Sequence, residues 1–200
     1  ENRHTGAGDK WVVTMNMRAD PESWQAWLRD LISALKQGRM GQYEAVERIA
    51  RRATRDEPWG PHGAVLNHLA EASHKDSECD LILAVIALRL RSKGDKWRHV
   101  YKALAVIEFV LTRGSERFCD RARALREDVE WAQEFVYVEP SGTDQGVNVR
   151  HKAKAVFVLL TEPGELQEKR ASIPKKSYWG VSSSDAPSSS GGGGGGGSEG

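Results

Sequence analysis

Between Arg89 and Lys102 the chain carries six Lys or Arg (Arg89, Arg91, Lys93, Lys96, Arg98 and Lys102) against one acid, Asp95, and adds His99. The chemistry open to such a stretch is anion binding. Guanidinium and ammonium groups supply directed, charge-assisted hydrogen bonds to phosphate oxygens, and the free amides of a helix start add favourable potential. Lys96, His99 and Lys102 recur every three residues, so a helix starting near residue 96 presents them on one face. Arg51, on an earlier helix, and Arg89, at the end of another, can join them around one phosphate cluster. The competing reading is a solvated basic surface whose long side chains cover neighbouring apolar area.

Other chemistry finds less support. The six histidines form no H-E-x-x-H, and no cysteine or acid completes a zinc set around them, so no metal is expected. A G-x-G at 6–8 lacks the strand and helix that a nucleotide loop requires. Carboxylates are scattered among Arg and Lys as on solvated helix faces. An enzyme is therefore not expected, and no cofactor is called for. The formal net charge of +1 argues against a nucleic-acid coat and makes any anion site local. Cys79 and Cys119 are expected to be buried small hydrophobes in a reduced, intracellular compartment. No apolar stretch reaches the length of a membrane span, so membrane contact is expected to be peripheral.

The elements that must position these groups are helical. Asp20 as N-cap, Pro21 at the first helical position and Gly38 as a stop frame a helix over 20–38, with Trp24, Trp27, Leu28, Leu31, Ile32 and Leu35 along one side. Such a stripe suits either packing on the domain or partial entry into a bilayer. Further helices are expected over 43–54, 62–73, 77–92, 96–112, 115–134 (one or a pair), 147–160 and 163–171. The 77–92 helix is apolar nearly all round and so belongs at the centre. Pro58 and Pro61 break the chain around Trp59, which is expected to be a buried wedge. Gly94 and Gly114 are C-cap candidates and Ser115 an N-cap. Trp131 is expected inside and 135–146 extended. From 182 the chain is Ser- and Gly-rich, ending in a Gly run expected to be a flexible linker, as in a fragment of a longer protein. Helices with short links, without alternating strands, give an all-α domain, either a bundle or a right-handed stack of hairpins.

Five blocks carry a resemblance: E-P-W-G-P-H-G at 57–63, G-D-K-W-R-H-V-Y-K-A-L at 94–104, L-T-R-G-S-E-R at 111–117, F-V-Y-V-E-P at 135–140 and D-Q-G-V-N-V-R-H-K-A at 144–153. In this order they resemble the ENTH (epsin N-terminal homology) domain. His62-Gly63, A-L-A-V-I at 103–107 and Y-W-G-V-S-S at 178–183 look most like plant and algal epsin-like proteins. The resemblance implies a right-handed superhelix of seven or eight α-helices over 40–171, preceded by an amphipathic helix at 20–38 and a flexible segment at 1–19, and followed by a linker at 172–200.

It further implies a peripheral membrane adaptor at clathrin-coated sites that binds phosphoinositides, often phosphatidylinositol 4,5-bisphosphate. The implied headgroup contacts are Arg51, Arg89, His99 and Lys102, with Lys96 standing in for a basic loop residue whose place is taken by Asp95. Membrane insertion falls to Trp24, Trp27, Leu28, Leu31 and Leu35. Clathrin and coat adaptors are implied through a tail mostly absent here, and SNARE cargo as a further partner. The implied locations are the cytoplasm, plasma membrane, coated vesicles, trans-Golgi network and endosomes. Three departures point to another phosphoinositide or to less selective binding: Asp56 replaces a polar Asn, Asp95 replaces a Lys, and Ser33, Ala34 and Gln37 fall where the first helix is usually basic. An alternative is a SNARE- or cargo-binding module with weak or unselective lipid binding.

Overall fold

The computed structural model describes residues 21–37 and 44–173. Among these the chain is all-α. The helices are α1 (Pro21–Lys36), α2 (Glu44–Ala53), α3 (Gly63–Ala72), α4 (Asp76–Leu90), α5 (Trp97–Arg113), α6 (Glu116–Ala122), α7 (Arg126–Ala132), α8 (Gly146–Thr161) and α9 (Pro163–Ser172). A 3-10 turn at Gly94–Lys96 leads into α5, and another at Arg123–Leu125 joins α6 to α7. The expected segment 1–19 and almost all of the linker at 172–200 lie outside the described residues.

Helices α2 to α9 pack in a superhelical arrangement, each leaning on neighbours from earlier turns, with α1 set against one side. The centre is α4, as its all-round apolar sequence requires: the run Leu81 to Ala87 is wholly buried. Burial of each large aliphatic side chain there contributes about 1.5–3 kcal/mol relative to exposure. α5 lies beside α4 and α8, burying Val100, Leu104, Ile107 and Leu111, while α8 turns in Val149, Ala153, Val156, Leu159 and Leu160. Cys79 and Cys119 are both buried. Desolvation pushes the Cys79 thiol up to about 12, which removes its nucleophilic thiolate at neutral pH.

The local punctuation follows the sequence in most places. Ser115 caps α6, its Oγ accepting from the Phe118 amide at 3.1 Å. Gly94 adopts φ 58°, the left-handed conformation that glycine takes at least cost. Gly114 differs: its backbone is extended, with φ −89° and ψ −165°. Glycine is needed there for space, because an added Cβ would lie 2.7 Å from Ser73 Oγ and from the Val110 carbonyl oxygen. Between α7 and α8 the expected extended chain contributes an isolated bridge, Val138 to Asp144.

Two aromatic expectations are corrected. Trp59 is 57 % exposed rather than wedged inside: it stands in the link between α2 and α3 and lines an open groove with Arg52, Arg55 and Lys102. Trp131 is 45 % exposed, standing edge-on to Phe135 at the domain surface. No helix among the described residues is long and apolar enough to cross a membrane.

Candidate functional site

Three helix ends and one turn bring the basic residues together. Arg51 is in the last turn of α2 and Arg89 in the last turn of α4. At such helix C-termini the macrodipole favours cations. Lys96 closes the 3-10 turn, and His99 and Lys102 follow in the first two turns of α5.

Arg89 is the hub. Its Nε donates to Thr54 Oγ1 at 3.2 Å, and its Nη1 lies 3.4 Å from Nδ1 of His99, which also faces Ser92 Oγ at 3.4 Å. Thr54 is itself buried and donates to the Ala50 carbonyl oxygen, so the end of α2 is fixed against Arg89. Burial, and then the charge of Arg51, lower the Arg89 pKa from its very high ordinary value. Burial, followed by the positive charge of Arg89, also lowers His99 below its ordinary value; Lys96 and Lys102 push the same way, and Asp56 opposes them. This is the signature of crowded cations whose field favours an incoming anion.

Lys102 is 5 % exposed, and its Nζ donates to the Arg55 carbonyl oxygen at 2.7 Å. Desolvation lowers its pKa. A lysine with three donors and one backbone acceptor keeps protons for a ligand. Lys96 is engaged differently: Nζ sits 3.0 Å from Asp56 Oδ2 and 3.6 Å from Asp95 Oδ2, and the hydrogen bond to Asp56 raises its pKa. Arg51 is held by Glu47 at 2.6 Å, one helical turn earlier. All five expected anion ligands therefore share one neighbourhood, with Arg89, His99 and Lys102 at its centre and Arg51 and Lys96 each paired with an acid.

Sequence spacing missed several neighbours. Thr54 positions Arg89. Arg98 stacks over Trp97 with its guanidinium carbon 4.6 Å from the ring centroid, and reaches toward Asp56 and Glu139. Beside Lys102 an open groove is lined by Arg52, Arg55, Trp59, Pro61 and His62. The R-R-A-T-R run at 51–55 held the signal for that basic wall, since it gathers Arg51, Arg52 and Arg55 within little more than one helical turn.

The expected membrane-insertion residues are placed less completely. The side chains of Trp24, Trp27 and Leu35 lie outside the described residues. Leu28 is 2 % exposed and Leu31 packs against the core, because α1 lies along α4 and the Arg123–Leu125 turn. The docked helix thus uses these two leucines as core.

The ENTH domain family model matches residues 43–166, more than half of the chain. Clathrin interactor EPSIN 1 of Arabidopsis thaliana is 43 % identical over 133 residues, covering 66 % of this chain and 24 % of the relative. Epsin-1 of Homo sapiens is 37 % identical over 129 residues, covering 64 % and 22 % respectively. The chain spans about a quarter of the length of these relatives. Among solved structures, the ENTH domain from epsin-2 in complex with phosphatidylinositol 4,5-bisphosphate matches with a TM-score of 0.60 and 31 % identity, covering 63 % of this chain and 89 % of that one. Sequence and superhelical fold agree, and the chain belongs to the ENTH domain family.

Proposed function

We propose that the chain is a phosphoinositide-binding peripheral membrane adaptor acting in clathrin-mediated vesicle trafficking. ENTH domains are non-catalytic lipid-binding modules, and the chain belongs to that class. The observation that carries the reading is the meeting of Arg89, His99 and Lys102 at the junction of α2, α4 and α5, where burial disfavours the charge on all three and the Arg89 charge further disfavours protonation of His99. A phosphorylated inositol headgroup supplies compensating negative charge in directed form. The similar epsin-2 domain in complex with phosphatidylinositol 4,5-bisphosphate supports the ligand class.

The proposed membrane face extends from the cluster to exposed Trp59 and the Arg52–Arg55 wall, a tryptophan among cations being suited to the lipid interface. Trp24, Trp27, Leu28, Leu31 and Leu35 form the second attachment. Leu28 and Leu31 can enter a leaflet only by giving up their packing on α4, so insertion requires α1 to undock. Clathrin and coat adaptors as partners, and the plasma membrane, coated vesicles, trans-Golgi network or endosomes as sites, follow from the kinship with clathrin interactors. The slightly higher identity with the plant relative supports an affinity to plant-type epsins. A second reading, a module that holds SNARE or other cargo, is favoured by the exposed Trp131, Val136 and Val138.

Vesicle flotation tests the principal reading. The full chain is expected to float with phosphatidylcholine vesicles that contain a phosphoinositide and to stay at the bottom with phosphatidylcholine alone. Equal flotation with both would sink it.

A further inference from the structure

Asp56 lies just beyond α2, where the chain leaves the helix for the Pro58–Pro61 turn, and faces into the basic cluster. Its Oδ2 accepts from Lys96 Nζ at 3.0 Å. Its Oδ1 is buried without a hydrogen-bond partner, and Nη1 of Arg98 stands 4.0 Å from it. Leaving a carboxylate oxygen buried and unpartnered is costly, so the surrounding positive field must hold it there. That field is shared: the negative charge of Asp56 opposes the cationic crowding at Arg89, His99 and Lys102, and stabilises charged Lys96. Asp56 thus already performs part of what a phosphate would do.

The consequence is a count of donors. Arg51 gives its Nε proton to Glu47, Lys96 one proton to Asp56, and Lys102 one proton to the Arg55 carbonyl. Arg89, His99 and the remaining Lys102 protons are enough for one phosphate group. A second phosphate that takes a proton of Lys96 comes to lie beside the partly buried Asp56 carboxylate already held on that ammonium. Like charges at such short range in a half-buried site repel strongly.

We propose that Asp56 is the specificity-determining residue of this site: a built-in anion that admits headgroups with one phosphate on the inositol ring and disfavours those with two. The proposal rests on the headgroup reading above and refines it.

The test compares the full chain, Asp56→Asn and Arg89→Ala on phosphatidylcholine vesicles carrying phosphatidylinositol 4-phosphate or phosphatidylinositol 4,5-bisphosphate at matched phosphate content. The unsubstituted chain is expected to bind the monophosphate at least as well as the bisphosphate. Asp56→Asn, nearly isosteric and uncharged, is expected to strengthen bisphosphate binding about tenfold, and monophosphate binding by much less. Two results overturn the Asp56 role: a preference of the unsubstituted chain for the bisphosphate, which needs no variant to fold, or an unchanged ratio in Asp56→Asn. Arg89→Ala separates this failure from that of the headgroup reading. If it abolishes binding while Asp56→Asn leaves the ratio unchanged, only the selectivity role falls; if it leaves binding to both lipids intact, the headgroup reading falls and takes the Asp56 role with it.

Discussion

Arg89 and His99, ten residues apart and on different helices, stand side by side with Nη1 3.4 Å from Nδ1. A guanidinium beside an imidazole in a partly buried site keeps the ring neutral, and this makes the site sensitive to pH.

Burial and Arg89 hold His99 below 6.5, helped by Lys96 and Lys102 and opposed by Asp56. A bound phosphate would reverse that field, so binding should take up a proton. Phosphoinositide affinity is expected to rise several-fold as pH falls from about 7 toward about 5.5. Folding stability runs the other way: a depressed histidine pKa contributes stability above the unfolded value that is lost as pH falls through the folded one. Headgroup phosphates also titrate in this range, so His99→Gln is the control. It should flatten both the affinity profile and the stability profile relative to the unsubstituted chain.

Lys102 has a structural duty besides binding. Lys102→Met keeps the buried stem but leaves the Arg55 carbonyl oxygen without its 2.7 Å donor. It is expected to lower unfolding free energy by about 1–3 kcal/mol, read from denaturant titration, as well as weakening vesicle binding. Full stability in this variant would mean that water replaces the ammonium there.

How far the site could be read from the sequence followed the range of each interaction. Lys96, His99 and Lys102 share a helix face because three-residue spacing dictates it. Their meeting with Arg51 and Arg89 depends on how α2, α4 and α5 pack, which periodicity cannot give; the family blocks supplied it. The apolar ring of α4 was legible because no face of it can meet water. Trp59 was misplaced because flanking prolines fix the chain's bend but not the direction in which it turns. At Gly114 the sequence correctly ended a helix for the wrong reason: the residue is small because of Val110 and Ser73, not because of its φ angle.

That crowding gives a stability test. In Gly114→Ala the new methyl would meet the Val110 carbonyl oxygen, which belongs to α5 backbone and cannot swing away. A loss of about 1–3 kcal/mol is expected by thermal or chemical unfolding. An unchanged melting temperature would show that α5 and the Ser73 region separate freely.

Glu108 ties α5 to the last two helices by accepting from Lys152 at 2.8 Å and Lys169 at 2.6 Å. Burial alone would raise its carboxyl pKa, but the two lysine hydrogen bonds outweigh it and the net shift is downward. The stabilisation is present above about pH 4.5 and lost as pH falls through the lower folded value. Glu108→Gln is expected to cost about 1–2 kcal/mol at neutral pH and to make acid unfolding less steep. The same acid profile in both proteins would remove Glu108 from that role.

The central claim, that the junction of α2, α4 and α5 is the headgroup site, is tested most directly by NMR titration of the full chain with a soluble inositol phosphate. Saturable shifts are expected at the Arg89 side chain, the His99 ring and the amides of 54–57 and 96–102, with the His99 pKa moving up on saturation. Saturable shifts confined to other surfaces, or a His99 ring that titrates identically with and without ligand, would contradict it.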